Sequence, residues 1–129
     1  MSATILYIED NPLNMRLVKR ILAYAGYAML EAVDGLEGLS IARNDSTNLI
    51  LVDVNLPDID GLEVVRRLKS QSDLAQIPAI ALTSNVMHGD KDRCMVAGCD
   101  GYLAKPVARL ELLNTIAYFL AREGRRVMV

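Results

Sequence analysis

The chain has 129 residues and a formal net charge of −2, with 52% hydrophobic and 23% charged residues. That length accommodates one core, and that composition excludes a disordered chain. The acidic balance excludes a nucleic-acid footprint, and no apolar run is long enough to cross a bilayer, so no direct nucleic-acid or membrane contact is expected.

Residues 4–9 form a short apolar run of strand formers, and Asp10-Asn11-Pro12 follows as a helix-start signal. Leu13, Leu17 and Ile21, with Val18 and Leu22, recur at helical spacing up to Gly26, a C-cap candidate. A second strand spans 27–32, and Asp34-Gly35 breaks it before a helix carrying Leu36, Leu39, Ile41 and Ala42. Residues 48–53 lack alternation, which predicts a strand covered on both faces. A loop over 56–61 leads to a helix with Leu62, Val65, Leu68 and Lys69, and 78–83 form another buried strand. A short helix is expected over 88–97, closed by Gly98, and a brief strand over 101–105 stops at Pro106. The last helix is marked by Leu110, Leu113, Ala117 and Leu120, while Leu112, Ile116 and Phe119 form a second row. That second row is either deeper burial or a surplus apolar surface. Arg122, Arg125 and Arg126 make a basic end suited to a helix C-terminus. Five alternations of strand and helix predict an α/β fold, a doubly wound parallel sheet with helices on both faces, within one domain spanning 1–129.

Ligands in such folds bind beyond the carboxyl ends of the strands. The first strand ends in Glu9-Asp10, the third in Asp53, the fourth in Thr83-Ser84 and the fifth in Lys105-Pro106. Three clustered carboxylates repel one another unless a cation joins them, and oxygen ligands beside a phosphate site suit Mg2+. Lys105 supplies a fixed positive charge and Thr83 a hydroxyl, so the set fits phosphoryl transfer. Asp53, on the central strand, is the candidate nucleophile. Taken singly, each of these residues reads more readily as bland than as catalytic, Asp10 as a helix cap among them.

The motifs Ile-Glu-Asp-Asn (8–11), Leu-Val-Asp-Val-Asn-Leu-Pro-Asp-Ile-Asp-Gly (51–61), Ala-Leu-Thr-Ser (81–84) and Gly-Tyr-Leu-Ala-Lys-Pro (101–106) resemble the receiver domains of bacterial two-component response regulators. The resemblance runs from Ile5 to Leu120. It implies a flavodoxin-like receiver fold, five strands with five helices, in the order 2-1-3-4-5 known for the family's chemotaxis member. It also implies that Asp53 is the phosphoacceptor, and that Glu9, Asp10, Asp53 and the backbone carbonyl of Asn55 hold Mg2+. Thr83 and Ser84 would meet the phosphoryl group, Lys105 would pair with one of its oxygens, and Tyr102 would be the aromatic switch. A cis bond is expected before Pro106. Two positions depart from the commonest pattern: Glu9-Asp10 replaces two aspartates, and Ser84 follows the hydroxyl where many receivers have alanine or glycine.

The expected role is a phosphorylation-dependent switch, not an enzyme on other substrates, served by a histidine kinase or histidine phosphotransfer protein. Output would pass to a downstream protein through the face of the fourth helix, fifth strand and fifth helix, with a homodimer as another occupant. Little follows Leu120 and the chain starts at Met, which favours a whole single-domain regulator over a receiver cut from a hybrid kinase or larger regulator. A magnesium-dependent aspartyl-phosphate phosphatase would want an acid where Asn55 stands, and a nucleotide or flavin module would want glycine where 10–14 is acidic. A cytoplasmic location is expected, because Met1 to Thr4 has no signal-peptide character. Cys94 and Cys99 read as small apolar fillers rather than zinc ligands, since His88 is the only histidine. Met15, Met87 and Met95 read as core or interface fillers and His88 as solvated. Asp90 and Asp92 read as first-turn helix acids, and Asp58 and Asp60 as turn chemistry.

Overall fold

A strand buried on both faces is apolar along nearly its whole length, and the two such runs of this chain fall inside the sheet. The computed structural model describes residues 3–84 and 89–128, with side chains to 122. In it Leu49–Asp53 (β3) and Ala79–Thr83 (β4) are buried at every position. Thr4–Ile8 (β1) pairs with β3, Ala28–Ala32 (β2) forms one edge, and Gly101–Ala104 (β5) forms the other. All pairings are parallel, and the order β2-β1-β3-β4-β5 is the one the family resemblance implies.

The helices are Pro12–Tyr24 (α1), Gly35–Asn44 (α2), Gly61–Lys69 (α3), Asp90–Ala97 (α4) and Arg109–Met128 (α5). One apolar layer joins the sheet to α1 and α5, through Ile5, Tyr7, Val18, Leu22, Leu112 and Ile116 among others. The other joins it to α2, α3 and α4, through Ile8, Leu39, Val52, Leu62, Leu68 and Cys94. No helix among the described residues is long and apolar enough to cross a membrane.

Local signals set the helix ends. Asn11 caps α1, its Oδ1 accepting from the N–H groups of Leu13 and Asn14 at 2.9 and 3.1 Å, so the cap is Asn11 and not Asp10. Asp60 caps α3 by accepting from Leu62 N–H at 2.7 Å, and Asp58 accepts from Gly35 and Leu36 N–H at 2.8 and 2.9 Å. The acidic loop is therefore spent on helix N-termini, where donors lack intrahelical partners. At the end of α4, Gly98 adopts φ 102, with Gly98 N–H on Met95 O and Cys99 N–H on Cys94 O. This closure brings Cys94 and Cys99 to one apolar contact. Both are buried, and burial pushes the Cys99 thiol up to about 12, so they act as inert fillers.

Two helical stripes differ from the sequence reading. In α1 the buried residues are Met15, Val18, Ile21 and Leu22, while exposure climbs from 8% at Ile21 to 46% at Leu17 and 70% at Leu13. Each four-residue step turns the side chain about 40° further round the helix, so the row walks off the core face. In α5 the core stripe is Leu112, Ile116 and half-buried Phe119, whereas Leu110 is 73% exposed and Ala117 is exposed. Of the two readings of the second row, deeper burial is thus the one realised. Met15 is buried and Met95 exposed; Met87, His88 and the side chains of Arg125 and Arg126 lie outside the described residues.

Candidate functional site

Side chains two apart on a strand share a face, so Tyr7 and Glu9 point the same way as the chain leaves β1. Tyr7 Oη donates to Glu9 Oε1 at 3.0 Å, and Lys105 Nζ donates to the same oxygen at 3.0 Å. The Asn11 N–H reaches Glu9 Oε2 at 3.3 Å. Lys105 Nζ also donates to Asp53 Oδ2 at 3.2 Å, and the Asn55 N–H donates to Asp53 Oδ1 at 3.2 Å. Glu9 and Asp53 are buried and Asp10 is exposed, and the three offer carboxylate oxygens within 4.8 Å of one another.

These groups set one another's charge. Burial and the neighbouring Glu9 raise the Asp53 carboxyl to about 6, against the pull of Lys105. Burial also works to raise Glu9, yet its bonds to Asp53, Lys105 and Asn11 hold it below the usual range. Lys105 is desolvated, but the two carboxylates keep its ammonium above the ordinary lysine value. Tyr7 is pushed far up by burial and by Glu9, so it stays a neutral donor. A pocket with one carboxylate ionised and another driven toward protonation is relieved by a divalent cation. The donors are all oxygen, one acid is open to solvent, and the residues fit a hard ion such as magnesium.

Asp53 is presented by a close backbone approach. A Cβ on Gly61 would stand 2.0 Å from the Asp53 carbonyl oxygen, so only glycine lets α3 begin there. Gly61 N–H donates to Val54 O and Val54 N–H to Leu82 O, which fixes the turn after the acid. Asn55 is exposed on that turn.

Thr83 ends β4, buried, and its Oγ1 donates to Asp90 Oδ2 in the first turn of α4. Asp90 is buried too, and Arg93 Nη1 donates to its Oδ1 at 2.8 Å. Arg93 Nη2 reaches Asp60 Oδ2 at 3.3 Å, tying α4 to the cap of α3. Thr83 pairs with Ala104, two residues beyond Tyr102, so Thr83 and half-buried Tyr102 face the same layer. The Lys91 ammonium lies 5.7 Å from the Tyr102 ring centroid. Ser84 is exposed and lines a groove with Asn14, Leu17, Lys105, Pro106 and Val107. The Lys105–Pro106 bond is cis.

Glu9, Asp10, Asp53 and Lys105 are therefore assembled at one point, with Ser84 at its rim and Thr83 and Tyr102 on the α4 side. Sequence reasoning missed Tyr7, Asp90 and Arg93. Tyr7 was legible from its i, i+2 relation to Glu9, but the burial of Asp90 depends on where α4 docks, which no local pattern carries.

The family model for the response regulator receiver domain matches residues 5–117. The polar-differentiation response regulator DivK of Brucella ovis is 38% identical over 120 residues, covering 93% of this chain and 98% of that protein. A receiver domain of the sensor histidine kinase PA1611 from Pseudomonas aeruginosa, with a magnesium ion coordinated in its active-site cleft, superposes with a TM-score of 0.88. It is 34% identical, covering 94% of this chain and 99% of that one. A CheY-like receiver domain protein from Methanospirillum hungatei gives a TM-score of 0.90 at 28% identity, over 98% of this chain and 99% of that one.

Proposed function

From the premise that this chain belongs to the response regulator receiver domain family, and so is a two-component signalling switch, we propose that Asp53 takes the phosphoryl group. The observation that carries this is the buried Asp53 carboxylate, set among Glu9, Asp10 and the Lys105 ammonium at the end of the central strand. The donor is a phosphohistidine of a histidine kinase or phosphotransfer protein. An Asp53 oxygen attacks phosphorus, the P–N bond breaks with its electron pair staying on the imidazole nitrogen, and the departing imidazole takes up a proton from solvent. Glu9, Asp10, Asp53 and the Asn55 carbonyl would hold Mg2+, which supplies charge neutralisation at the transferring oxygens. Lys105, already within reach of Asp53, exchanges a carboxylate partner for a phosphoryl oxygen. Thr83 and Ser84 supply hydroxyls to the others, and Tyr102 follows Thr83. The chain is no enzyme toward other substrates, and its place of work is the cytoplasm.

Input reaches the site across α1, whose exposed Leu17 lines the groove leading to Ser84 and Lys105, with exposed Leu13 one turn before it. Output leaves through α4, β5 and α5 to a downstream protein or a second copy. Its apolar contacts are Met95 and Val96 on α4, not the buried Leu112 and Ile116. Incubation with acetyl phosphate and magnesium should give an acid-stable, base-labile label, and Asp53→Asn should abolish it. Labelling that persists in that variant assigns the acceptor elsewhere.

A further inference from the structure

We propose that Asp90 is a positioning residue that holds the Thr83 hydroxyl toward α4 in the unphosphorylated protein, so that Asp90 and the phosphoryl group compete for one proton donor. The inference rests on the reading of Thr83 as the switch hydroxyl. Thr83 Oγ1 donates to Asp90 Oδ2, and both residues are buried. A hydroxyl carries a single proton. While it is given to Asp90, it is not available to a phosphoryl oxygen at Asp53. The bond to a carboxylate is charge-assisted, roughly twice as strong as a neutral one, so the competition has weight.

The surroundings show a built device rather than an incidental first-turn acid. Asp90 does not cap its helix: the residue before α4 is Gly89, and α4 has no side-chain cap bond. Arg93 instead grips Asp90 Oδ1 at 2.8 Å, leaving Oδ2 for the hydroxyl. The same guanidinium reaches Asp60, the cap of α3 next to Gly61 and the acceptor turn. One residue on, Lys91 lies over the Tyr102 ring. The first turn of α4 thus touches the switch hydroxyl, the cap of α3 and the aromatic residue together. When Thr83 turns to a phosphoryl oxygen, Asp90 loses its proton donor while keeping Arg93, and that loss is a bias in the first turn of α4. Two stable arrangements of one donor are what a switch needs.

The test is a beryllofluoride titration with magnesium on the whole chain, reading affinity and the Tyr102 ring resonances by NMR. Asp90→Ala removes the competitor, so affinity should rise about ten-fold, the factor for about 1.4 kcal/mol. The Tyr102 resonances should also move toward their bound positions before beryllofluoride is added. Asp90→Asn keeps the shape with a neutral acceptor and should tighten binding about three-fold; it carries the test if Asp90→Ala does not fold. In a double-mutant cycle the gain should vanish on a Thr83→Val background. Folded Asp90 variants with wild-type affinity, or an equal gain without the hydroxyl, overturn the proposal. If Thr83→Val binds beryllofluoride and moves Tyr102 as wild type does, the switch reading fails and Asp90 falls with it. If Thr83→Val disrupts the response while the Asp90 variants do nothing, only the Asp90 assignment fails.

Discussion

Asp53 is held in a state that disfavours its own charge. Its carboxyl rises from an ordinary 3.8 to about 6 through burial and Glu9. A group with a raised folded-state pKa contributes stability below its unfolded value and loses it as pH rises through the folded one. Without metal, Asp53 should therefore weaken the fold progressively between about pH 4 and about pH 6, and fully at pH 7. Glu9, with its lowered pKa, acts in the opposite sense, losing its contribution as pH falls below the ordinary range. Comparing wild type with Asp53→Asn isolates the first effect. The variant should gain about 2 kcal/mol at pH 7 by urea unfolding, with the gain shrinking toward pH 4 and when magnesium is added. An advantage independent of pH would show that Asp53 is not strained by charge. The acids were legible in the sequence because each ends a strand at the binding edge of a parallel sheet. The Tyr7–Glu9 and Asp90–Arg93 pairs are local, at i, i+2 and i, i+3, but the burial of Asp90 against Thr83 depends on where α4 docks, which no local pattern carries.

Helices test the same limit one level up. Their existence and the closure of α4 at Gly98 were readable, but the capping roles of Asn11 and Asp60 and the rotation of an apolar stripe about its axis were not. In α5, Leu110 and Ala117 lie across the helix from the core, and Leu112 and Ile116 occupy it. Both rows are apolar, and spacing alone does not say which one faces the sheet. The choice comes from the sheet: Phe119 fits over Gly101, where a Cβ would stand 3.1 Å from its ring. Substitutions should separate the two rows sharply. Ile116→Ala should cost about 2–5 kcal/mol, because it empties a buried site. Leu110→Ala should change stability by no more than about 0.5 kcal/mol, as an exposed position does. Denaturant unfolding of the two variants checks this, and equal losses would mean that α5 packs in another rotation. The central strands carried no such ambiguity, since burial on both faces leaves no stripe to orient.

At the scale of the whole molecule the sheet divides the protein into two layers with different neighbours. Tyr7, Lys105 and the groove along Leu17 belong to the α1 and α5 side, while Thr83, Asp90 and Tyr102 belong to the α4 side. The groove toward Asp53 and the Thr83–Tyr102 side therefore lie on opposite faces of the sheet, while the proposed output face also takes in α5, which packs on the α1 side. A protein donor has to bury surface to bring its imidazole to Asp53, whereas acetyl phosphate needs only the cleft. The exposed row of Leu13 and Leu17 is available for that burial, since neither side chain is spent on the core. Leu13→Glu and Leu17→Glu should leave the fold and the acetyl phosphate reaction as in wild type. Transfer from a phosphorylated histidine phosphotransfer domain should fall about ten-fold or more, the loss of about 1.4 kcal/mol or more at a buried apolar anchor. The measurement is the ratio of the two phosphorylation rates in each variant. If that ratio stays at the wild-type value, the donor approaches Asp53 from another side, and the exposed row of α1 has no part in input.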